Sequence, residues 1–105
     1  MSLKEIALPR GGKAWVTTRA THAQTKALYR AQYAASQEPG EALDLQTAGI
    51  RTFTARWEDV HDPNTDELLT FPAGLDRLDQ EDATALFRAI NQALTEGRAD
   101  PNAGS

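Results

Sequence analysis

The sequence predicts an α+β fold, mostly helical, in which an N-terminal β-hairpin packs on two to three helices. Two β-prone runs flank a Pro/Gly turn near the start, a capping-box signature opens an alanine-rich segment, and an acidic cap precedes a long apolar stripe near the end. At 105 residues, with 40% hydrophobic and 25% charged residues, the chain suits one globular domain, expected over residues 1–97. The small, polar residues 98–105 are expected to form a flexible tail.

The hairpin is expected over residues 1–18. Leu3 to Leu8 and Lys13 to Thr18 are the strand runs, and Pro9-Arg10-Gly11-Gly12 between them supplies the turn, its glycines admitting positive φ. Alternation sets Ile6 and Leu8 on one face of the first strand and Trp15 and Thr17 on one face of the second. A lone hairpin is marginal in water, so it must pack on something. Thr21-His22-Ala23-Gln24 places a hydroxyl at an N-cap and an amide three residues on, opening a helix over 21–36. Pro39 and Gly40 then stop it.

Residues 41–59 carry two patterns. Leu43, Thr47, Ile50, Phe53 or Thr54, and Trp57 recur at three- and four-residue spacing, as on one helical face, whereas Phe53, Ala55 and Trp57 alternate as on a strand. The longer helical run makes a helix the expectation, with a strand as the alternative. Residues 60–78 read as loop and extended chain by their Asp, Asn, Pro and Gly content. The last helix is expected over 79–96: Asp79 caps it, Glu81 and Asp82 favour its positive end, and Leu78 is placed to staple the entry. Ala83, Leu86, Phe87, Ile90, Ala93 and Leu94 form its apolar stripe, and Gly97 is expected to end it.

Composition excludes several functions. With no cysteine there is no disulfide, thiol nucleophile or cysteine-ligated zinc. Met1 to Leu8 lack a basic region followed by an apolar run, so no signal peptide is expected, and no apolar stretch approaches the roughly 20 residues that span a bilayer. The net charge of −4 argues against a nucleic-acid partner. That charge is unevenly distributed. Residues 1–56 hold eight Lys/Arg against four acids, and residues 57–105 hold three against eleven. Such a split either stabilises the fold internally or favours self-association head to tail.

No catalytic, cofactor-binding or metal-binding set emerges. Asp62-Pro63-Asn64-Thr65-Asp66 begins like a calcium loop, but Glu67 stands where the loop needs glycine and Ala73 where it needs a bidentate glutamate. Gly11-Gly12-Lys13 is followed by Ala14, so no hydroxyl is available for a phosphate-bound magnesium. His61 beside Asp59 and Asp62 suggests an acid–base pair but reads better as a solvated patch, and both tryptophans read as core. Tyr29 and Tyr33 lie one helical turn apart with Lys26 and Arg30 on the adjoining surface. Tyrosine with arginine is interface composition. These four residues are therefore the candidate protein-binding site, and the competing reading is two half-buried tyrosines against the hairpin.

From about Thr54 to Leu94 the chain resembles the tail assembly chaperones of long-tailed bacteriophages. The shared pattern is a tryptophan closing a helix-like segment (Trp57), an acidic turn, a Leu/Phe-Pro segment (Leu68 to Pro72), a Leu-Asp-x-Leu entry (Leu75 to Leu78) and a final helix ending Ala-Ile-Asn-Gln-Ala-Leu. Where those proteins often read Asp-x-x-Gly in the turn, this chain has Asn64-Thr65-Asp66. The short β opening and a helix beginning near Thr-x-x-Gln also match. The resemblance implies a helical protein of the host cell cytoplasm that binds the phage tape-measure protein. It would keep that protein soluble, help recruit tail-tube protein, and leave before the tail matures. It implies no active site and no cofactor, and often a longer frameshifted form. The sequence thus points to a non-catalytic assembly factor that binds proteins, with neither nucleic acid nor membrane as partner. The alternatives are a structural virion component, such as a head–tail connector or minor tail protein, and a host regulatory or toxin-neutralising module.

Overall fold

The computed structural model describes residues 3–37 and 41–99. Strands β1 (Leu3–Ala7) and β2 (Lys13–Thr17) pair antiparallel, from Leu3 opposite Thr17 to Ala7 opposite Lys13. Their turn is closed by Leu8 N–H to the Gly12 carbonyl at 2.8 Å and Gly11 N–H to the Leu8 carbonyl at 3.0 Å. Gly11 sits at φ 105°, a conformation open to glycine and closed to most other residues.

Helix α1 (His22–Gln37) begins at the expected capping box. Thr21 N–H donates to Gln24 Oε1 at 2.9 Å, and Gln24 N–H donates to Thr21 Oγ1 at 3.1 Å. The Pro39-Gly40 stop lies outside the described residues. Helix α2 (Glu41–Phe53) follows, and strand β3 (Thr54–Glu58) comes directly after it. Helix α3 (Gln80–Ala99) closes the chain, with Asp79 Oδ2 accepting from Glu81 N–H at 2.9 Å as the cap. Before it, residues 59–79 form a loop with one bridge, His61 to Leu68, a cis Phe71–Pro72 peptide and a 3-10 turn over Leu75–Arg77.

The sheet order is β1-β2-β3, all antiparallel. Helix α3 lies against β1 and β2, α2 packs on α3, and α1 packs on α2. Lys4 Nζ ties β1 to the end of α3 through Glu96 at 3.5 Å. The core joins the inner sheet face (Ala14, Val16, Trp57) to Ile50 and Phe53 of α2 and to Leu86, Ile90 and Ala93 of α3. Phe53, Ile50, Leu86, Ile90, Val16 and Val60 are its largest fully buried side chains, each contributing about 1.5–3 kcal/mol by burial. Gly49 leaves room for the Phe87 ring where α2 meets α3: a Cβ there would stand 2.9 Å from Phe87 Cδ1.

Three expectations need correcting. The helix expected over 41–59 stops at Phe53, because β2 has an open edge and the next five residues fill it. Ala14 pairs Trp57 and Val16 pairs Thr54, with an irregularity between Trp15 and Val16. Ala55 is therefore the extra residue of a bulge, and Thr54 and Trp57, three apart, both turn to the core. The second correction concerns Trp15, expected in the core. It is half-buried on the outer sheet face, with the Arg56 guanidinium 3.9 Å from its ring centroid. The fully buried neighbours Ala14 and Val16 take the inner face instead. Trp57 does lie in the core, donating its indole N–H to the Leu69 carbonyl at 2.9 Å and meeting Phe71 edge-on at 5.1 Å. Third, α3 runs through Gly97 to Ala99. A helical glycine costs only about 1 kcal/mol relative to alanine, too little to end a helix unaided. Of the expected flexible tail 98–105, residues 100–105 lie outside the described residues.

Replacing Ile90 (1% exposed) by alanine is expected to cost about 2–5 kcal/mol in urea unfolding; a loss within surface scatter would mean the stripe of α3 is misplaced. Thr54 Oγ1 is buried without a hydrogen-bond partner among the described residues. Thr54→Val keeps the shape and removes the orphaned hydroxyl, so it should raise stability by about 1 kcal/mol. A lower urea midpoint would show that the hydroxyl is satisfied.

Candidate functional site

Helix α1 sorts its side chains by face. Gln24, Thr25, Leu28 and Ala31 are half-buried toward the body of the protein, and no described side chain on α1 is fully buried. Gln24 Nε2 also donates to the Thr52 carbonyl at 3.2 Å, fixing the start of α1 to the end of α2. Lys26, Tyr29, Arg30 and Tyr33 share the outward face, at the i, i+3, i+4, i+7 spacing of one helical stripe. Tyr29 is 60% and Tyr33 70% exposed. The alternative of two tyrosines half-buried against the hairpin is thereby overturned. The stripe is cationic: residues 22–37 hold no acid, and no ion pair found among the described residues involves Arg19, Lys26 or Arg30.

Beside this stripe runs a groove of about 360 Å³ between α1 and the second half of α3. Its apolar lining is the half-buried Leu28 with the buried Phe53 and Leu94, and Arg19, Gln32, Asn91 and Thr95 are among its polar residues; no acid is found in its lining among the described residues. Tyr29 belongs to both groove and stripe. The groove residues of α3 were not legible in the sequence, where Leu94 is simply the last member of a core stripe. Only the tertiary placement of α1 turns that side of α3 into a wall.

The acidic loop is built as a structural knot. Asp62 is buried, and its Oδ1 accepts from Asn64 N–H at 2.7 Å and Thr65 N–H at 3.0 Å. Its Oδ2 takes the Arg77 Nε–H at 2.8 Å, and Arg77 also reaches Thr65 Oγ1 and Glu67. The two backbone donors, then Arg77, hold the Asp62 carboxyl below its ordinary pKa. Asp66 sits at φ 61°, a left-handed conformation that aspartate tolerates. The candidate acid–base pair of His61 and Asp62 is not assembled. His61 Nδ1 lies 3.1 Å from the Asp66 carbonyl oxygen, while both Asp62 oxygens are engaged elsewhere. Among the described residues, no group of three or more His, Asp and Glu is placed to hold a metal ion, and no helix is long and apolar enough to cross a membrane.

A second buried carboxylate, Asp82 (3% exposed), accepts from Arg10 N–H at 3.2 Å and pins the hairpin turn to the first turn of α3. Burial raises its pKa, and the Arg10 hydrogen bond only partly opposes that.

No family model matches the chain, and neither a curated protein nor a solved structure matches it.

The two buried carboxylates give opposite pH signatures. Asp62 stabilises the fold when ionised, so Asp62→Asn should lower the melting temperature at pH 7. That deficit should shrink as pH falls below the ordinary aspartate range and the native carboxyl, held lower, itself protonates. Asp82 ionises against its burial, so Asp82→Asn, whose carbonyl still accepts from Arg10, should raise the melting temperature at neutral pH. This gain should fade as pH drops through the raised pKa of Asp82 toward roughly 4. Calorimetry across pH checks both, and deficits of the same sign in the two variants would contradict the assignment.

Proposed function

We propose that this chain is a non-catalytic assembly factor that binds other proteins through the outward face of α1, in the manner the resemblance to tail assembly chaperones implies. On this reading it acts in the host cell cytoplasm, holds the phage tape-measure protein in soluble form, and helps bring tail-tube protein to it. The observation that carries the reading is the pair of tyrosines, 60% and 70% exposed, flanked by Lys26 and Arg30 on a helix with no fully buried side chain among those described. Rings exposed to this degree bury little surface and add little to the stability of the helix. Tyrosine and arginine are, however, the residues on which interface energy concentrates.

A binding role also fits how the polar groups are used. The Asp62 carboxylate is held by a turn and an arginine, and Asp82 by the hairpin turn. Neither is presented to a substrate.

Tyr29→Ala with Tyr33→Ala is expected to leave the urea midpoint within about 0.5 kcal/mol of the parent, as surface changes do. Co-purification of the tape-measure protein on co-expression should fall several-fold. Retention of the tape-measure protein by the double variant would remove the tyrosines from the site. Fixed-copy recovery of the chain from washed virions would favour a structural virion component over a chaperone.

A further inference from the structure

The groove beside α1 has a composition that selects its occupant. The half-buried Leu28 and the exposed Tyr29 line it beside the buried Phe53 and Leu94, and no Asp or Glu is found in its lining among the described residues. On the α1 side, Arg19, Lys26 and Arg30 enter none of the ion pairs found among the described residues. The protein carries −4 overall, so this positive patch runs against the sign of the whole molecule.

From this we infer that the groove between α1 and α3 is the seat of an amphipathic helix from another protein, one whose apolar stripe is flanked by Asp and Glu. The inference rests on the protein-binding reading and names the surface and the chemistry of the partner. A cleft lined by residues one turn apart on two helices, Leu28 and Gln32 of α1 with Asn91 and Thr95 of α3, suits a helix that inserts apolar side chains at the same spacing. Arg19, Lys26 and Arg30, which enter no ion pair found among the described residues, then meet the acids on its flanks, giving specificity and a faster encounter.

A second copy of this chain fits less well. The large hydrophobics exposed among the described residues are Leu3, Tyr29, Tyr33, Leu43 and Leu68. Only Tyr29 and Tyr33 form a one-turn pair on a helix, so the one stripe that a copy could offer is α1 itself. Docking α1 into its own counterpart sets Lys26 and Arg30 against like charges, which opposes association.

The test uses the whole chain and two synthetic helical peptides of about 20 residues, long enough to hold some helix in water. Both carry leucine at i, i+4 and i+7; one is flanked by glutamate, the other by lysine. Isothermal titration calorimetry should show binding of the glutamate peptide and at least roughly tenfold weaker binding of the lysine peptide. Lys26→Glu with Arg30→Glu should reverse that preference. Thr95→Trp, on the far wall and exposed, should block the groove and abolish binding with the melting temperature unchanged. Equal binding of the two peptides, no binding of either, or full binding by the Thr95→Trp variant overturns the proposal. So does a concentration-dependent dimer, seen by sedimentation, that the charge reversal dissolves. The two readings fail separately. Peptide binding by these rules without tape-measure capture removes the tail-assembly role and keeps the groove. Capture of the tape-measure protein by a chain carrying all three substitutions removes the groove and keeps the role.

Discussion

The fold depends on burying the apolar stripe of α3. Leu86 and Ile90, at 0% and 1% exposure, lie in one core with Val16 of the sheet and with Ile50 and Phe53 of α2. Without α3, the three-stranded sheet would have one face open to water, and α2 would lose a partner of its buried Ile50 and Phe53 while keeping its packing on α1. The sheet alone is close to the smallest that can stand. Other features serve this packing. Asp82 joins the hairpin turn to the start of α3, Lys4 joins β1 to its end, and Gly49 lets the Phe87 ring fit against α2.

What the sequence revealed and concealed follows the same division. Elements fixed by local chemistry were legible: the Pro/Gly hairpin turn, the Thr21–Gln24 capping box, the Asp79 cap and the stripe from Ala83 to Leu94. Strand β3 was not, because its cause is an open edge on β2, distant in sequence. The bulge at Ala55 concealed it further. By placing Thr54 and Trp57 on the same face three residues apart, it gives a strand the spacing of a helix. Helix passes into strand at Phe53–Thr54 with neither glycine nor proline between them, so composition marks no boundary. Trp15 misled for a related reason. Size and apolarity suggest the core, but strand parity is set by which neighbours meet α3, and those are Ala14 and Val16. The outward tryptophan covers itself with Arg56 instead.

The acidic segment shows how little charge content alone says. Read as a string, residues 59–67 carry Asp59, Asp62, Asp66 and Glu67 and invite thoughts of a cation or a proton relay. Folded, the central carboxylate is a hub for two backbone amides and Arg77, and Asp66 occupies a left-handed corner. The hydrogen bonds that occupy Asp62 also lower its pKa, so the same contacts that build the turn withdraw it from acid–base chemistry.

Helix α1 stands apart from this economy. It is held by its cap, by one contact to the Thr52 carbonyl and by half-buried small and aliphatic side chains. Elements with few buried apolar contacts occupy the low end of local stability, where binding surfaces are drawn from. Its alanines, at 23, 27, 31, 34 and 35, supply the helix propensity that burial does not. That arrangement frees the outward positions from any structural duty, and they hold two tyrosines and two cations. Charge completes the argument. The ion pairs found here engage Lys4, Arg56 and Arg77 and pass over Lys26 and Arg30. The charge split between the two halves of the chain is therefore only partly neutralised by ion pairs among the described residues, and Lys26 and Arg30, two of the cations that enter none, lie on a helix whose tyrosines face water.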